Sequence, residues 1–146
     1  MNLKFETINF EIIENIAIIR LNRPNSYNSL NAKMAKELLE ISYECDTNKK
    51  IRAIILTGEG DRAFCAGGDL KSFHETGNVA KHLKMVTHDL HGAITKFSRM
   101  NSPLIVAVNG VAAGAGLSFV GFADLAIAKF SATFVSAYTK AGLTPD

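Results

Sequence analysis

The chain has 146 residues, which is enough for one domain with a buried core and too few for two ordinary domains. Hydrophobic residues make up 47% and charged residues 21% of the chain, and the formal net charge of +2 is too small to indicate a nucleic-acid partner. Cys45 and Cys65 lie outside any C-x-x-C pair and no signal-peptide pattern opens the chain. These features predict reduced thiols in a cytoplasmic protein with no membrane partner.

The first part of the chain predicts a hairpin followed by a helix. Residues 5–11 alternate loosely between apolar and polar side chains, and Ile16–Leu21 is almost continuously apolar, so both segments predict strands. Glu14-Asn15 lies between them as the turn. Asn31 has the side chain of a helix N-cap, and the apolar residues of segment 32–45 have helical spacing.

Short apolar runs alternate with helical segments in the rest of the chain. The predicted strands are residues 51–57, 63–66, Leu104–Val108, Leu125–Ala128 and Thr133–Val135, and the predicted helices are residues 79–99 and 114–122. Strands that alternate with helices favour an α/β fold with parallel strands and right-handed crossovers.

Two loops rich in glycine and alanine each follow a predicted buried strand: residues 63–71 (AFCAGGDLK) and 109–118 (NGVAAGAGLS). Small residues let the backbone approach a ligand closely, and the second loop opens a helix whose first N–H groups are unpaired. Together the loops could direct two N–H groups at one oxygen as an oxyanion hole. Close packing without a ligand is the alternative, whereas the glycine order does not match the dinucleotide pattern G-x-G-x-x-G.

The strings LNRP, AFCAGGDL, SPLIVAVNGVAAGAGLS and FADLAIA, in this order, resemble the crotonase (enoyl-CoA hydratase/isomerase) superfamily from about residue 10 to residue 146. The resemblance implies an α/β spiral of ββα turns, here one core domain over residues 1–146 that is truncated before the C-terminal helices of relatives. It also implies an acyl-CoA substrate, no metal, no cofactor beyond the coenzyme A of the substrate, and a homotrimer or hexamer in the full-length form.

The same resemblance assigns site residues. Gly68 and Ala115 would donate their N–H groups to the thioester carbonyl. The other substrate-binding residues it implies are Asn25, Ser26, Tyr27, Ala66, Gly67, Asp69, Leu70, Gly114, Ser118 and Tyr138. For Asp69 we also expect bonds to the backbone that hold its loop. For Arg23 a phosphate contact and a solvated surface position both remain open.

The reaction depends on the acids that accompany the oxyanion hole. Typical hydratases of the superfamily carry two glutamates where this chain has Ser118 and Tyr138, and neither hydroxyl exchanges protons readily near pH 7. Hydration needs proton transfer at two carbons, so the substitutions favour double-bond isomerisation, for which one group suffices. By resemblance, Asp146 in AGLTPD is that group, with a turn-capping role as its alternative. An enoyl-CoA hydratase and a non-catalytic acyl-CoA-binding module remain as alternative functions.

Overall fold

The computed structural model describes residues 4–142 and residue 144. Its strands are β1 (Ile8–Ile13), β2 (Ile16–Leu21), β3 (Ala53–Gly58), β4 (Ala63–Cys65), β5 (Leu104–Val108), β6 (Val111–Ala113), β7 (Leu125–Ala128) and β8 (Thr133–Val135). Its helices are α1 (Ala32–Thr47), α2 (Leu70–His74), α3 (Val79–Phe97) and α4 (Ala115–Phe122), with 3-10 turns at Pro24–Ser26 and Tyr138–Ala141. The predicted α/β class is confirmed.

A tight turn at Glu14 and Asn15 joins β1 to β2 as an antiparallel hairpin. Both turn residues have positive φ angles, 48° and 69°, as two-residue hairpin turns that match the strand twist require. The predicted hairpin is therefore confirmed. The predicted N-cap is confirmed as well, because Asn31 Oδ1 accepts a hydrogen bond of 2.9 Å from Met34 N at the start of α1.

The remaining strands form two parallel sets. The larger sheet has the order β1-β2-β3-β5-β7 and the smaller sheet the order β4-β6-β8. Each successive pair of strands, β3 with β4, β5 with β6 and β7 with β8, places its first strand in the larger sheet and its second in the smaller one. Helices follow β4 and β6, so the chain advances as the predicted spiral of ββα turns.

The core lies between the larger sheet and the helices α1 and α3. Alternate residues of the strands face it, as expected for a sheet covered on one side by helices. Its members include Ala17, Ile19, Leu21, Ile54, Leu56, Leu104, Val106, Met34, Leu38, Ile41, Leu90 and Phe97. Cys45 and Cys65 are buried and unpaired, as the sequence predicted.

Two elements were not predicted, β6 and α2. β6 has only three residues, VAA, which are too few to show a strand pattern. The segment is a strand because it pairs with β4 and β8 on either side. α2 has five residues and begins at Leu70, after the N-cap Asp69, whose side chain accepts a hydrogen bond from Ser72 N. The first strand begins three residues later than predicted, at Ile8 rather than at residue 5. The bounds of the other predicted elements differ by at most two residues, as for α3, which ends at Phe97 rather than at residue 99.

Candidate active site

The two glycine-rich loops meet because β4 and β6, the strands before them, are parallel neighbours in the smaller sheet. Gly67 and Gly114 both have positive φ angles, 94° and 52°. A methyl group on Gly67 would lie 2.9 Å from the carbonyl oxygen of Ala113 and 3.5 Å from the Cα atom of Gly114. The backbones of the two loops are therefore in direct contact, which only residues without side chains allow.

The amides of Gly68 and Ala115 follow this contact point on the two loops. The bonds Leu30 N to Gly67 O (2.7 Å) and Asp69 N to Leu30 O (2.8 Å) hold the backbone on either side of Gly68. Within the part of the chain that the structure describes, neither Gly68 N nor Ala115 N donates to another residue. Ala115 is the first residue of α4, where N–H groups and the positive end of the helix dipole favour negative charge.

A cavity of about 380 Å³ lies in front of these amides. Its walls include several residues predicted for the site: Ala66, Gly67, Gly68, Leu70, Gly114, Ala115 and Tyr138. They also include residues that the sequence analysis did not name: Leu30, Phe73, Leu83, Val86, Thr87, Leu90, Ala137 and Thr144. The volume falls in the range of ordinary small-molecule sites, and apolar side chains form most of the wall.

The outer wall of the cavity comes from α2 and α3. The ring of Phe73 lies against Gly68, where a methyl group would approach its Cε2 atom to 2.9 Å. Leu83, Val86 and Leu90 extend the apolar surface along α3. Their spacing of three and four residues was present in the sequence as a helical apolar stripe, and it is the signal that could have identified this wall.

Asp69 forms an ion pair with Arg23. Arg23 Nη2 lies 2.7 Å from Asp69 Oδ2, and Arg23 Nη1 donates to Ser29 O at 2.6 Å. Asp69 Oδ1 accepts from Ser72 N at 3.2 Å, which confirms its expected role in holding the loop. The interpretation of Arg23 as a solvated surface residue is wrong. Asp69 does not line the cavity, and a substrate contact for it stays a prediction.

Asn25, Ser26 and Tyr27 lie in and just after the turn Pro24–Ser26 and do not line the cavity. Tyr27 has a φ of 53°, and its carbonyl oxygen accepts a hydrogen bond of 3.0 Å from Ala66 N, next to the oxyanion loop. The guanidinium of Arg62 lies 4.2 Å from the centre of the Tyr27 ring. The contact with coenzyme A that the resemblance implies for this segment stays a prediction.

Asn28, which the sequence analysis did not name, holds the loop after β2 in place through hydrogen bonds of its side chain. Its side chain is fully buried, accepts from Arg23 N at 2.9 Å and donates to Ala63 O at 2.9 Å and Glu59 O at 3.0 Å. The two bonds that Asn28 donates join the loop after β2 to the chain around β4, and the bond that it accepts closes the loop on itself. A buried amide with these three bonds holds the two segments in one register.

Tyr138 lines the cavity, and Ser118, which does not line it, contacts Tyr138 from behind. Ser118 lies in the first turn of α4, and Tyr138 opens the 3-10 turn after β8. Their hydroxyl oxygens are 2.8 Å apart, so they share a hydrogen bond. The position of this second segment is set by the pairing of β6 with β8 and by the bond from Gly114 N to Val135 O (3.1 Å). Asp146, the predicted proton carrier, lies outside the described residues.

Two classes of site find no support in the described residues. In residues 4–142 and 144, no group of three or more histidine, cysteine, aspartate or glutamate side chains is arranged to hold a metal ion. No helix in the same part of the chain is both long enough and apolar enough to cross a bilayer.

Comparison with known proteins gives consistent matches. A family model described as enoyl-CoA hydratase/isomerase matches residues 11–146. A probable enoyl-CoA hydratase of Rhodobacter capsulatus is 41% identical over 145 residues, which is 99% of this chain and 54% of the relative. The 1,2-epoxyphenylacetyl-CoA isomerase of Escherichia coli is 37% identical over 97% of this chain and 54% of its own length.

A crystal structure of an enoyl-CoA hydratase/isomerase from Mycobacterium paratuberculosis superimposes with a TM-score of 0.89 at 30% identity, over 98% of this chain and 57% of that one. The chain thus spans about half the length of the curated relatives it matches. Both the sequence matches and the shared spiral show that the chain belongs to the enoyl-CoA hydratase/isomerase family of the crotonase superfamily.

Proposed function

We propose that this protein binds an acyl-CoA thioester and stabilises its enolate, and that its reaction is the migration of a double bond in an enoyl-CoA. The observation that supports the first part is the contact between the loops at Gly67 and Gly114, which brings the amides of Gly68 and Ala115 to one cavity. Two N–H groups fixed by backbone contacts need no rearrangement when negative charge develops on the thioester oxygen. Coenzyme A enters as part of the substrate, and no other cofactor is proposed.

The proposed choice of isomerisation over hydration rests on Ser118 and Tyr138. By the resemblance to the superfamily, these hydroxyls stand where typical hydratases carry two glutamates, and they bond to each other at 2.8 Å. Two neutral hydroxyls can bind a water molecule but are poor bases for deprotonating it near pH 7. A double-bond shift needs no added water, because one group removes a proton from one carbon and returns it to another.

Asp146 is the proposed proton carrier. Removal of the proton from carbon 2 of a 3-enoyl-CoA would leave an enolate held by Gly68 and Ala115, and return of the same proton to carbon 4 would give the 2-enoyl product. The proposal requires the Asp146 carboxylate to reach the apolar cavity, where burial would raise a carboxyl pKa and make the group a suitable base for this step. The alternative role of Asp146, a cap on the turn that follows Pro145, predicts no effect on chemistry when the acid is replaced.

A ring-bearing acyl group is the substrate we favour. The acyl-facing wall of the cavity is formed by Leu70, Phe73, Leu83, Val86 and Leu90, which suit a large apolar group. The similar protein of Escherichia coli is named for a phenylacetyl-CoA derivative and for isomerase activity. The similar protein of Rhodobacter capsulatus is named a probable hydratase, which keeps hydration as the second candidate.

A paired assay on the protein from its natural reading frame tests this function. A 3-enoyl-CoA and a 2-enoyl-CoA are supplied separately, each with a linear and a phenyl-bearing acyl group, and products are followed by chromatography. We expect isomerisation of the first substrate and no hydration of the second. Asp146→Asn should lower isomerisation by about 10²-fold or more, whereas the exposed Asp61→Asn should leave it unchanged.

Other outcomes separate the alternatives. Hydration of the 2-enoyl-CoA would contradict the isomerase assignment and indicate acids other than Asp146. Binding of both substrates without turnover would support the non-catalytic acyl-CoA-binding module. Full turnover by Asp146→Asn would show that Asp146 does not carry the proton. Only the proposed oxyanion hole would then remain.

We further propose that the full-length protein is cytoplasmic and forms a homotrimer or a hexamer of two trimers. This part of the proposal is what the resemblance to the crotonase superfamily implies. Light scattering coupled to size-exclusion chromatography measures the oligomer, and a monodisperse monomer would contradict this part of the proposal.

A further inference from the structure

Helix α3 contributes an apolar wall to the cavity with one polar side chain in it. Leu83, Val86 and Leu90 are the apolar members of this wall, and Thr87 lies among them. These positions recur at intervals of three and four residues, so all four side chains share one side of the helix. Among the residues of α3 that line the cavity, all of which the structure describes, Thr87 alone has a polar side chain.

The hydrogen of the Thr87 hydroxyl is already used within the helix. Thr87 Oγ1 donates to Leu83 O at 2.9 Å, and Lys84 O lies 3.2 Å away as a second acceptor for the same hydrogen. A threonine hydroxyl has one hydrogen and two lone pairs, so Thr87 Oγ1 keeps its capacity to accept. Within residues 4–142 and 144, no group donates a hydrogen bond to this oxygen.

The same two carbonyl groups locate the Thr87 oxygen at the edge of the apolar wall. Leu83 lines the cavity, whereas Lys84 lines a different groove on the same helix. A hydroxyl oxygen within reach of both carbonyl oxygens lies over the turn between these two residues. The side chain of Thr87 is half-buried, which is consistent with that position. An acyl group that lies along α3 would therefore meet the Thr87 oxygen where the wall ends.

The polar groups of the cavity have opposite hydrogen-bonding character. The backbone amides of Gly68 and Ala115 can only donate, which suits the thioester oxygen of the proposed substrate. Thr87 Oγ1, with its hydrogen bonded to the helix, can only accept. A ligand that satisfies both places carries a hydrogen-bond donor on its acyl group. An ether oxygen at the same place would face the lone pairs of Thr87 Oγ1 with no hydrogen between them.

We infer that Thr87 is a specificity-determining residue whose Oγ1 accepts a hydrogen bond from a hydroxyl group on the acyl part of the substrate. The substrate class is an acyl-CoA with a large apolar acyl group that packs against Leu83, Val86 and Leu90 and carries one hydroxyl towards α3. This inference rests on the proposed acyl-CoA function and adds the acyl class to it. It gives Thr87 a role in binding and none in proton transfer.

The test compares pairs of phenylacetyl-CoA ligands that carry either a hydroxyl or a methyl group, at ring position 3 or at ring position 4. None of them has a double bond to move, so calorimetry on the protein from its natural reading frame measures binding alone. Within each pair, the dissociation constant of the methyl ligand is divided by that of the hydroxyl ligand. This ratio is compared between the unmodified protein and Thr87→Val, which replaces the hydroxyl by a methyl group.

We expect Thr87→Val to lower the ratio by about fivefold for at least one ring position, the usual range for one neutral hydrogen bond. The affinity for the methyl ligand should not fall, because the variant wall remains apolar at this position. Thr87→Ser keeps the hydroxyl and should retain the ratio of the unmodified protein. A ratio that is the same in the unmodified protein and in Thr87→Val at both ring positions would overturn the inference.

A methoxy ligand tests the direction of the hydrogen bond. Methoxy can accept but cannot donate, so Thr87→Val should not weaken its binding relative to that of the ethyl ligand of the same shape. A loss for methoxy equal to that for hydroxyl would show that Thr87 donates to the ligand and would overturn the assignment of Thr87 as an acceptor.

A second threonine provides the matched control. Thr47, the exposed last residue of α1, donates to Tyr43 O at 2.8 Å, the same kind of bond within a helix, and does not line the cavity. Thr47→Val should therefore leave the hydroxyl-to-methyl ratio unchanged, and an equal fall in both variants would overturn the inference. Thr87→Ala removes the hydroxyl by a second route if Thr87→Val fails to fold by circular dichroism.

The outcome is separable from that of the proposed function. Isomerisation of a 3-enoyl-CoA together with a ratio that does not depend on Thr87 leaves the function standing and rejects the inference. A ratio that depends on Thr87 without any turnover supports the inference and favours the acyl-CoA-binding module over the enzyme. Failure to bind any of these ligands and to convert the 3-enoyl-CoA rejects both.

Discussion

The guanidinium Nη2 of Arg23 lies 2.7 Å from Oδ2 of Asp69, and this ion pair joins the loop after β2 to the loop that contains Gly68. The two side chains are only 19% and 14% exposed, so solvent screens their attraction less than that of a surface pair. Arg23 Nη1 also donates a hydrogen bond to Ser29 O, and Asp69 Oδ1 accepts one from Ser72 N at the start of α2. The pair therefore holds the proposed oxyanion loop without lining the cavity.

Removing one partner of this pair should destabilise the protein more than removing a surface charge. We expect Arg23→Ala to lower the free energy of unfolding by about 2–4 kcal/mol, because it leaves the largely buried carboxylate of Asp69 without its cation. Arg20→Ala, in the exposed pair with Glu11, should cost no more than about 1 kcal/mol. Urea denaturation measures both values.

A double-mutant cycle with Asp69→Asn separates the ion pair from the other contacts of each residue. If the effects of Arg23→Ala and Asp69→Asn simply add, the two side chains do not interact in solution and the prediction is wrong.

Gly67 should tolerate no side chain, because its φ angle is 94° and a methyl group would approach Ala113 O to 2.9 Å. We expect Gly67→Ala to cost about 1–3 kcal/mol of stability from backbone strain alone. It should also lower turnover, since the change separates the two loops that bear the proposed oxyanion amides. Thermal unfolding and the isomerase assay measure the two effects.

Gly77 provides the matched control for that substitution. No atom lies within 4 Å of the position its Cβ would take, and its φ angle is outside the left-handed region. Gly77→Ala should be neutral, or stabilise by up to about 1 kcal/mol through a less flexible unfolded chain. Equal losses in the two variants would show that the constraint at Gly67 is not local.

The sequence was sufficient for the parts of the site that depend on local pattern. Small residues after apolar runs indicated the two loops, and the resemblance to the crotonase superfamily assigned Gly68 and Ala115 within them. The structure brings these loops together through the parallel pairing of β4 and β6. The hairpin, α1 and the strands of the larger sheet likewise have local periodicities. Their order in the sheet was not predicted, because consecutive strands such as β3 and β4 enter different sheets and β3 therefore pairs with β5.

The contacts between distant residues left no comparable signal. Arg23 and Asp69 are 46 residues apart, and the bond between Ser118 and Tyr138 spans 20 residues, so no spacing rule connects either pair. β6 is too short to have a pattern and exists because its neighbours in the smaller sheet pair with it. The helical spacing of the apolar residues on α3 was visible in the sequence. That these residues face the cavity follows only from the folded structure.

The two cysteines should be unreactive in the folded protein. Burial raises the pKa of the Cys45 thiol from 9.0 to about 12 and that of Cys65 to about 11. At pH 8 both thiols are therefore almost entirely protonated, and the thiolate is the form that reacts with iodoacetamide. We expect alkylation followed by mass spectrometry to be slow in buffer and fast in urea.

The same pKa shifts predict a loss of stability in alkali. A thiol whose pKa is raised by folding contributes its full stability below the unfolded value and loses it as the pH rises towards the folded value. The free energy of unfolding should therefore fall between about pH 9 and pH 12. Cys45→Ala and Cys65→Ala should each reduce that slope, and an unchanged slope in both would contradict the assignment to the thiols.

The 146-residue chain should self-associate through the outer surface of β7 and β8. Every residue of both strands is exposed, Ile127 of β7 to 67%, and Phe130 in the loop between the two strands is fully exposed. Adjacent apolar side chains of this size favour association with other protein surfaces. We expect Ile127→Thr combined with Phe130→Ser to shift the chain towards the monomer in light scattering. Met85→Ser, which removes an exposed apolar side chain from α3, should not, so an equal effect of both changes would argue against this surface.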